Sequence, residues 1–333
     1  MPESPVETLF QVLDETSQIL QKEMDITYLE ALAETGENIF QDQIGQKDVS
    51  DVARKRLAKY YAEINRLSYT SEDIRKAFQL ACLKGMRKTT QPNHQLTPDS
   101  IGIFVSYLIQ KFFRTTQRNF SILDPAVGTG NLLTTILNQL NCPDIRSYGV
   151  EIDDLLIRLA YVNANLQNHP LELYRQDSLR PLFVEPVDCV VCDLPVGYYP
   201  GDASEFELKA DEGHSYAHHL FIEQSTRYTK DGGYLFFLVP NTLFTSPEAE
   251  KLREFVKNHH HIQAFISLPE SMFKNKEIAK SLFVLQKQGA GVKPPKEILM
   301  AILPSMTDMR AMENMLERID QWFKENKYPL NDR

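Results

Sequence analysis

A glycine-containing turn between an apolar segment and a helical pattern constrains the fold of this chain most. The turn lies within Ile122-Leu123-Asp124-Pro125-Ala126-Val127-Gly128-Thr129-Gly130-Asn131-Leu132-Leu133. Glycine permits φ > 0 and lets a ligand approach the backbone closely. A helix that begins just behind such a turn favours an anionic group at its N-terminus. The stretch therefore predicts a strand, a ligand-binding turn and a helix.

From residue 121 onward, short apolar runs alternate with amphipathic helical patterns. This alternation predicts an α/β domain with a mostly parallel sheet and helices on both faces, which is a Rossmann-like architecture. The expected strands are 122–123, 148–150, 171–174, 187–191, 234–239, 262–268, 281–286 and 298–303. The expected helices of this region are 132–140, 155–165, 217–228, 247–258 and 309–323.

The first ninety-odd residues have helical periodicity only. Helices are expected at 5–25, at 28–40, at 52–67 and from a cap at Ser71 to residue 85. A polar linker with Pro92 follows, and Thr97-Pro98-Asp99 begins another helix. We therefore expect an N-terminal helical domain over 1–94 and a second domain over 95–333.

Charge is distributed unevenly along the chain, whose net charge is −9. Residues 1–48 carry 2 basic and 11 acidic side chains, and residues 49–90 carry 10 basic and 4 acidic ones. Two interpretations remain open, namely helices that pair with each other, or a basic surface for a polyanion. The basic surface would consist of Arg54, Lys55, Arg56, Lys59, Lys84, Arg87 and Lys88.

Composition excludes several classes of protein. Hydrophobic residues make up 42% of the chain, and no apolar run is long enough to span a membrane. Four cysteines are too few for a disulfide scaffold, and the N-terminus lacks the pattern of a signal peptide. We therefore expect a cytoplasmic protein. Cys189 and Cys192 have metal-like spacing, but a strand sends them to opposite faces, so no metal site is predicted.

The residues around the turn indicate which ligand it binds. A nicotinamide site would have a third glycine where Leu133 stands, and a phosphate-binding Walker loop would have a Gly-Lys-Ser/Thr sequence. Asp124 instead suits a ligand with an ammonium group, as S-adenosylmethionine has. Glu151, 21 residues after Gly130, ends the next strand and can accept both ribose hydroxyls, while Asp177 can accept from the adenine amino group.

Three motifs occur in the order of a known family. Asp-Pro-x-x-Gly-x-Gly-Asn-Leu-Leu, Gly-Val-Glu-Ile-Asp and Gln-Asp-Ser resemble class I S-adenosylmethionine-dependent methyltransferases. The branch is similar to adenine-N6 DNA methyltransferases and type I restriction modification subunits, and most similar to the YtxK-like bacterial group. The resemblance implies that S-adenosylmethionine is bound by Thr97, Asp124, Ala126, Gly128, Gly130, Asn131, Leu132, Glu151, Ile152, Asp177, Ser178 and Asp193.

The catalytic motif of this family is altered in the chain. The family has Asn/Asp-Pro-Pro-aromatic, where this chain has Asp193-Leu194-Pro195-Val196. A side-chain oxygen and a backbone carbonyl accept the hydrogens of the acceptor amine, and the aromatic ring stacks on the flipped-out base. Asp193 and Pro195 match their positions, and Tyr198 or Tyr199 is left to replace the missing ring. The resemblance therefore implies Asp193, Pro195 and Tyr198 as catalytic residues.

The expected function is N-methylation of the adenine N6 amine in DNA. RNA and a protein glutamine amide remain alternative acceptors, because both offer a planar amino group. A protein that keeps the cofactor but only binds nucleic acid or a partner is the alternative outside enzymes. Recognition would need the N-terminal helices, a specificity subunit or a homo-oligomer. The histidines at 218 and 219 are expected to be structural, and those at 259–261 to face solvent.

Overall fold

The computed structural model describes most of the chain. The described residues are 4–64, 69–87, 96–113, 119–140, 142, 144–273 and 278–327. The helices are α1 Pro5–Met24, α2 Tyr28–Gln41, α3 Asp51–Ile64, α4 Ser71–Met86, α5 Asp99–Phe113, α6 Asn131–Gln139, α7 Asp154–Leu166, α8 Ala217–Arg227, α9 Ala249–His259 and α10 Met309–Asn326. The strands are β1 Ser121–Asp124, β2 Arg146–Glu151, β3 Leu171–Arg175, β4 Val187–Asp193, β5 Thr229–Pro240, β6 His260–Ser267, β7 Lys280–Lys287 and β8 Leu299–Ile302.

Helix starts follow from short capping sequences. Ser4 and Glu7 form a reciprocal capping box at the start of α1. The predicted cap of α4 at Ser71 is wrong by one residue, because Thr70 is the cap and forms the box with Asp73. Pro98 immediately precedes α5, as its preference for a helix start predicts.

The strands form one eight-stranded sheet in the order β3-β2-β1-β4-β5-β7-β6-β8. The pairs β1–β4 and β4–β5 are parallel, as are β6 and β8. Strand β7 is inserted between β5 and β6 and is antiparallel to both. The predicted Rossmann-like α/β fold, preceded by helices, is confirmed.

The chain divides into two compact units. The first unit comprises 1–106, 127–141 and 149–176, so it includes α1 to α4 together with α6 and α7. Its core joins apolar side chains of α1, α2 and α4 to Leu159 and Val162 of α7. A Cβ added to Gly36 of α2 would lie 2.0 Å from a Val162 methyl group, so α2 and α7 pack at close range. The predicted boundary at 94/95 stays a prediction.

The second unit comprises 107–126, 142–148 and 177–333. Its core contains Phe236 and Phe237 of β5 and Phe283 of β7, which are fully buried. Phe112 of α5 packs edge-on against Phe323 of α10. His260 is buried, so the expectation that 259–261 face solvent is wrong for this residue. It begins β6, where its ring packs on Phe255.

None of the helices among the described residues is both long and apolar enough to cross a membrane.

Candidate functional site

The glycine turn after β1 is held by backbone hydrogen bonds within the first unit. The Gly130 amide donates to the Val127 carbonyl at 2.8 Å, and the Val127 amide donates to the Val150 carbonyl at 2.9 Å. Gly128 and Gly130 have φ of +55° and +79°, the conformation that favours glycine. A Cβ added to Gly128 would meet no atom within 4 Å, so the backbone there faces open space.

Glu151 ends β2 and ties the turn to that strand. Its Oε2 accepts from the Gly128 amide at 3.1 Å, and its Oε1 accepts from the Ile152 and Asp153 amides at 2.9 and 3.0 Å. Three backbone donors thus fix the carboxylate beside the glycine turn. Ile152 is 63% exposed, which leaves an apolar surface next to this carboxylate.

Helix α6 begins directly behind the turn. Gly130 is its N-cap, no side chain caps it, and its first turn has no acidic residue. Its N-terminus therefore carries uncompensated positive potential that favours an anion such as a carboxylate. Leu132 is buried behind this end of the helix.

Asn131 connects the turn to the segment before α5. Its Nδ2 donates to the Thr97 carbonyl at 3.0 Å, and its Oδ1 accepts from Nη1 of Arg75 at the same distance. The structure thereby brings Thr97 and Asn131 together. Arg75 was not among the candidate residues. Its charge among the apolar positions of α4 could have indicated a buried ion pair.

In the second unit, Asp124 and Ser178 fix the segment that precedes the turn. Asp124 is buried and its Oδ1 accepts from the Ala126 amide at 3.0 Å. The Ser178 hydroxyl donates to the Pro125 carbonyl. Burial, followed by the charge of Asp124, raises the pKa of the Cys192 thiol far above its ordinary value. Cys192 is therefore a neutral packing residue.

Asp177 has two donors in the second unit. Its Oδ1 accepts from the Leu179 amide at 2.9 Å, and its Oδ2 accepts from the Tyr199 hydroxyl at 2.6 Å. Burial and this hydrogen bond to Asp177 raise the pKa of Tyr199 to about 12. Tyr199 therefore belongs with Asp177, and the structure separates it from Tyr198.

Asp193 ends β4 and forms an ion pair that the sequence did not indicate. Nζ of Lys280, the first residue of β7, donates to Oδ1 of Asp193. The two side chains are 22% and 21% exposed, so the pair is partly shielded from water. Leu194 is buried, and its amide donates to the Leu238 carbonyl of β5 at 3.2 Å. Pro195 is half-buried and Val196 is exposed.

Tyr198 stacks on Tyr216, which was also not among the candidate residues. The ring centroids lie 5.0 Å apart with 21° between the ring planes, and the two residues form an isolated antiparallel bridge. Tyr198 nevertheless remains 63% exposed. One ring face is thus supported while most of the side chain is open to solvent. The hydrogen bond with Tyr198 raises the pKa of Tyr216.

Two buried histidines lie beneath this tyrosine pair. Both rings, those of His218 and His219, pack on Tyr216. Burial lowers the pKa of His218 to about 4 and, with the neighbouring His218, that of His219 to about 3. Both imidazoles are neutral at pH 7 and support the ring of Tyr216.

The basic surface considered for α3 and α4 is smaller in the structure. Arg54 donates to the Ile44 and Gln46 carbonyls, and Lys84 pairs with Asp14 of α1. These bonds favour pairing within the helical segment. Lys88 lies outside the described residues. Four of the seven basic side chains remain exposed, namely Lys55, Arg56, Lys59 and Arg87.

Two family models match the chain. The one described as N-6 DNA Methylase matches residues 88–327, and the one described as YtxK N-terminal helical domain matches residues 7–86. The resemblance inferred from the motifs is thereby confirmed.

The chain is also similar to individual proteins. It is 51% identical over 330 residues to the uncharacterized protein YtxK of Bacillus subtilis (strain 168), which covers 98% of this chain and 100% of that protein. A crystal structure assigned to the class I S-adenosylmethionine-dependent methyltransferases, from Listeria monocytogenes, is 50% identical, with a TM-score of 0.90 and coverage of 96% and 99%. The modification subunit assigned to a type I restriction enzyme of Vibrio vulnificus YJ016 shares the fold at 16% identity, with a TM-score of 0.69 and coverage of 96% and 91%.

Proposed function

This chain belongs to the N-6 DNA methylase family, and we propose that it methylates the N6 amine of adenine in DNA. It belongs to the S-adenosylmethionine-dependent methyltransferases, and its cofactor is S-adenosylmethionine. The family match supports the choice of acceptor, and the bond between the Gly128 amide and Glu151, which joins the glycine turn to the acid after β2, supports the cofactor site.

The groups presented around the glycine turn fit this cofactor. An uncapped α6 suits its carboxylate, Glu151 suits the ribose hydroxyls, and the exposed Ile152 suits an apolar ring face. Asp124 suits the ammonium group, and Asp177 suits the adenine amino group. The remaining proposed cofactor residues are Thr97, Ala126, Gly128, Gly130, Asn131, Leu132, Ser178 and Asp193.

The loop after β4 would position the acceptor. S-adenosylmethionine supplies a methyl group activated by its sulfonium. Asp193 would accept one hydrogen bond from the acceptor amine and the Leu194 carbonyl would accept the other, which would orient the amine nitrogen for methylation. Lys280 holds the Asp193 carboxylate in place. Pro195 restricts the φ angle of the loop backbone at its position. Tyr198 stacks on the extruded base.

A second candidate function rests on the altered loop. Val196 stands where the family has an aromatic residue, and Asp193 is engaged by Lys280. Both features favour a protein that binds the cofactor and a nucleic acid or partner without transferring the methyl group. RNA and a protein glutamine amide are further acceptors for an active site of this chemistry.

The experiment measures transfer of labelled methyl groups from S-adenosylmethionine to DNA, RNA and protein fractions of cells that lack this protein. We expect label in DNA as N6-methyladenine. Asp193→Ala should abolish transfer and change the cofactor affinity far less, because Asp193, although also a proposed cofactor residue, acts mainly on the acceptor amine.

Asp188→Ala is the matched control, because Asp188 on the same strand also pairs with a lysine, Lys230, at 2.8 Å. Activity of Asp188→Ala together with inactivity of Asp193→Ala supports catalysis by Asp193. Cofactor binding without transfer to any fraction would favour the second candidate function. Because the chain is similar in fold to type I modification subunits, we propose a specificity subunit as its partner. A homo-oligomer is the alternative.

A further inference from the structure

Arg75 of α4 is a buried cation whose five N–H groups are all used. Its Nε and Nη2 donate to Glu72 at 2.8 and 2.7 Å, and its Nη1 and Nη2 donate to the two oxygens of Asp99 at 2.9 Å. Its side chain is 0% exposed, whereas those of Glu72 and Asp99 are 27% and 29% exposed. A buried charge is costly unless it is paired, and two carboxylates pair this one.

The fifth N–H of Arg75 donates to a residue outside this ion-pair network. Nη1 donates to Oδ1 of Asn131 at 3.0 Å, and Nδ2 of Asn131 donates to the Thr97 carbonyl at 3.0 Å. Asn131 is the first residue of α6 and follows Gly130 directly. A chain of hydrogen bonds thus runs from the N-terminal helical segment to the end of the glycine turn.

A second arginine in the same unit makes a useful comparison. Arg158 of α7 donates to Glu34 and Glu37 of α2 at 2.6–2.8 Å, so it also joins the helical segment to the α/β part. Its side chain is 35% exposed, and its carboxylate partners lie on α2, away from the glycine turn along the chain. Both arginines link elements, but only Arg75 ends on a residue of the turn.

The bond to Asn131 also bears on where the α6 N-terminus points. Gly130 has no side chain, so it contributes to the position of the first turn only through its backbone bonds with Val127 and Thr134. The Asn131 side chain is buried and is held at both of its ends, by Arg75 and by Thr97. These two side-chain bonds therefore add to the backbone bonds that orient the first α6 amides.

We propose that Arg75 is a positioning residue for the cofactor, through which the N-terminal helical segment sets the glycine turn and the start of α6. The proposal rests on the cofactor site proposed above. It gives the helical segment a role in cofactor affinity that is separate from any contact with the acceptor. Lysine cannot replace Arg75, because three donors from one nitrogen cannot reproduce the planar fork.

The test measures S-adenosylmethionine affinity of the full chain by calorimetry. Arg75→Lys keeps the charge and should weaken binding by about tenfold, since it removes a charge-assisted hydrogen bond from the turn. Asn131→Ala removes the last link and leaves the Glu72 and Asp99 pairs intact, so it should weaken binding by a similar factor. The double variant should bind the cofactor no more weakly than the single variant with the lower affinity. Both changes break the same chain of bonds, so their effects should not add.

Arg158→Lys is the matched control and should bind the cofactor within about twofold of the wild type. A second readout is turnover, where Arg75→Lys should raise KM for the cofactor and leave kcat at saturation nearly unchanged. A third is hydrogen exchange, which should become faster at amides 127–134.

Each outcome distinguishes the proposals. Wild-type affinity in Arg75→Lys, an equally weakened affinity in Arg158→Lys, or additive effects in the double variant would overturn the role of Arg75. If Arg75→Lys does not fold, wild-type affinity in Asn131→Ala would overturn it. Absence of cofactor binding by the wild-type chain would instead refute the proposed cofactor site itself.

Discussion

Glu151 is the single residue on which the proposed cofactor site depends most. Its carboxylate accepts three backbone N–H groups, one of them from Gly128 in the glycine turn. The same carboxylate is the proposed partner of the ribose hydroxyls. A change at this residue therefore disturbs both the turn and the ligand contact.

We expect Glu151→Ala to weaken S-adenosylmethionine binding at least tenfold, because hydrogen bonds to a charged acceptor contribute roughly 1.5–3 kcal/mol. Glu151→Gln should also weaken binding, since an amide NH₂ group cannot accept one of the backbone N–H groups. Glu172→Gln is the control, because this acid of β3 is exposed. Calorimetry that finds wild-type affinity in Glu151→Ala would remove the central residue of the proposed site.

Asp193 and Lys280 form a second residue-level feature of the site. Their ion pair is partly shielded, and an ionised carboxylate is an acceptor only. Lys280 fixes the orientation of this carboxylate, and an ammonium group has no hydrogen-bond acceptor of its own. Asp193 therefore remains the proposed side-chain acceptor at the motif position, and Lys280 of β7 pairs with it.

Among the elements, the loop between β4 and α8 separates two tyrosines that are adjacent in sequence. Tyr199 donates to Asp177, whereas Tyr198 stacks on Tyr216. The loop thus directs one ring to a proposed cofactor residue and leaves the other exposed. Tyr199 is for this reason not an inert control for Tyr198.

We predict that Tyr198→Ala lowers acceptor affinity about 5- to 150-fold, because stacking of a base on an aromatic ring contributes roughly 1–3 kcal/mol. Tyr216→Leu should act in the same direction, since it removes the ring that supports Tyr198. Cofactor affinity should change in neither variant. The control is Phe183→Ala, an aromatic side chain that is 79% exposed on another loop. An unchanged acceptor KM in Tyr198→Ala would exclude this ring from the acceptor site.

Helix α3 is the element that could contact a polyanion. Lys55, Arg56 and Lys59 are exposed on it, while Arg54 is bonded to backbone carbonyls. If α3 binds nucleic acid, their triple reversal to glutamate should weaken binding and reduce the salt slope by about 0.9 for each phosphate group that is no longer neutralised. Reversal of Lys293, Lys296 and Lys324 matches the change in charge at exposed residues elsewhere. Equal effects of the two triple variants on a binding titration would mean that α3 is an ordinary solvated face.

For the whole molecule, three buried histidines make stability depend on pH. Burial lowers the pKa to about 4 for His218 and to about 3 for His219 and His260. In the unfolded chain these groups have a pKa of about 6.5. The unfolded state therefore binds more protons between about pH 6.5 and the folded-state values, and stability falls as the pH falls through that window.

We expect the free energy of unfolding in urea to be lower at about pH 5.5 than at about pH 7.5, by about 1 kcal/mol for each of these histidines. His219→Phe should have a shallower pH dependence by about one such contribution. His214→Phe is the control, because His214 is exposed and should leave the dependence unchanged. Identical pH dependence in His219→Phe and the wild type would show that His219 does not contribute.

Much of the architecture was predictable because it is local in the chain. Periodicity placed the helices and strands, and the helix predicted from residue 28 begins at Tyr28 and ends one residue later than expected. The glycine turn, Glu151 and Asp177 could be proposed as site residues because their motifs have a constant order along strand ends. These are properties of short segments, which hydrogen bonding and apolar burial of neighbouring residues determine.

Long-range partners decided the remainder. Lys280 reaches Asp193 across 87 residues, and Arg75 reaches Asn131 across 56. The position of β7 between β5 and β6 in the sheet is likewise a long-range feature. No local pattern encodes which distant charges or strands meet, because burying them costs free energy that only the assembled fold compensates through pairing. The chain alone determined the segments and the cofactor motif, and folding alone determined the ion pairs and stacked rings that position them.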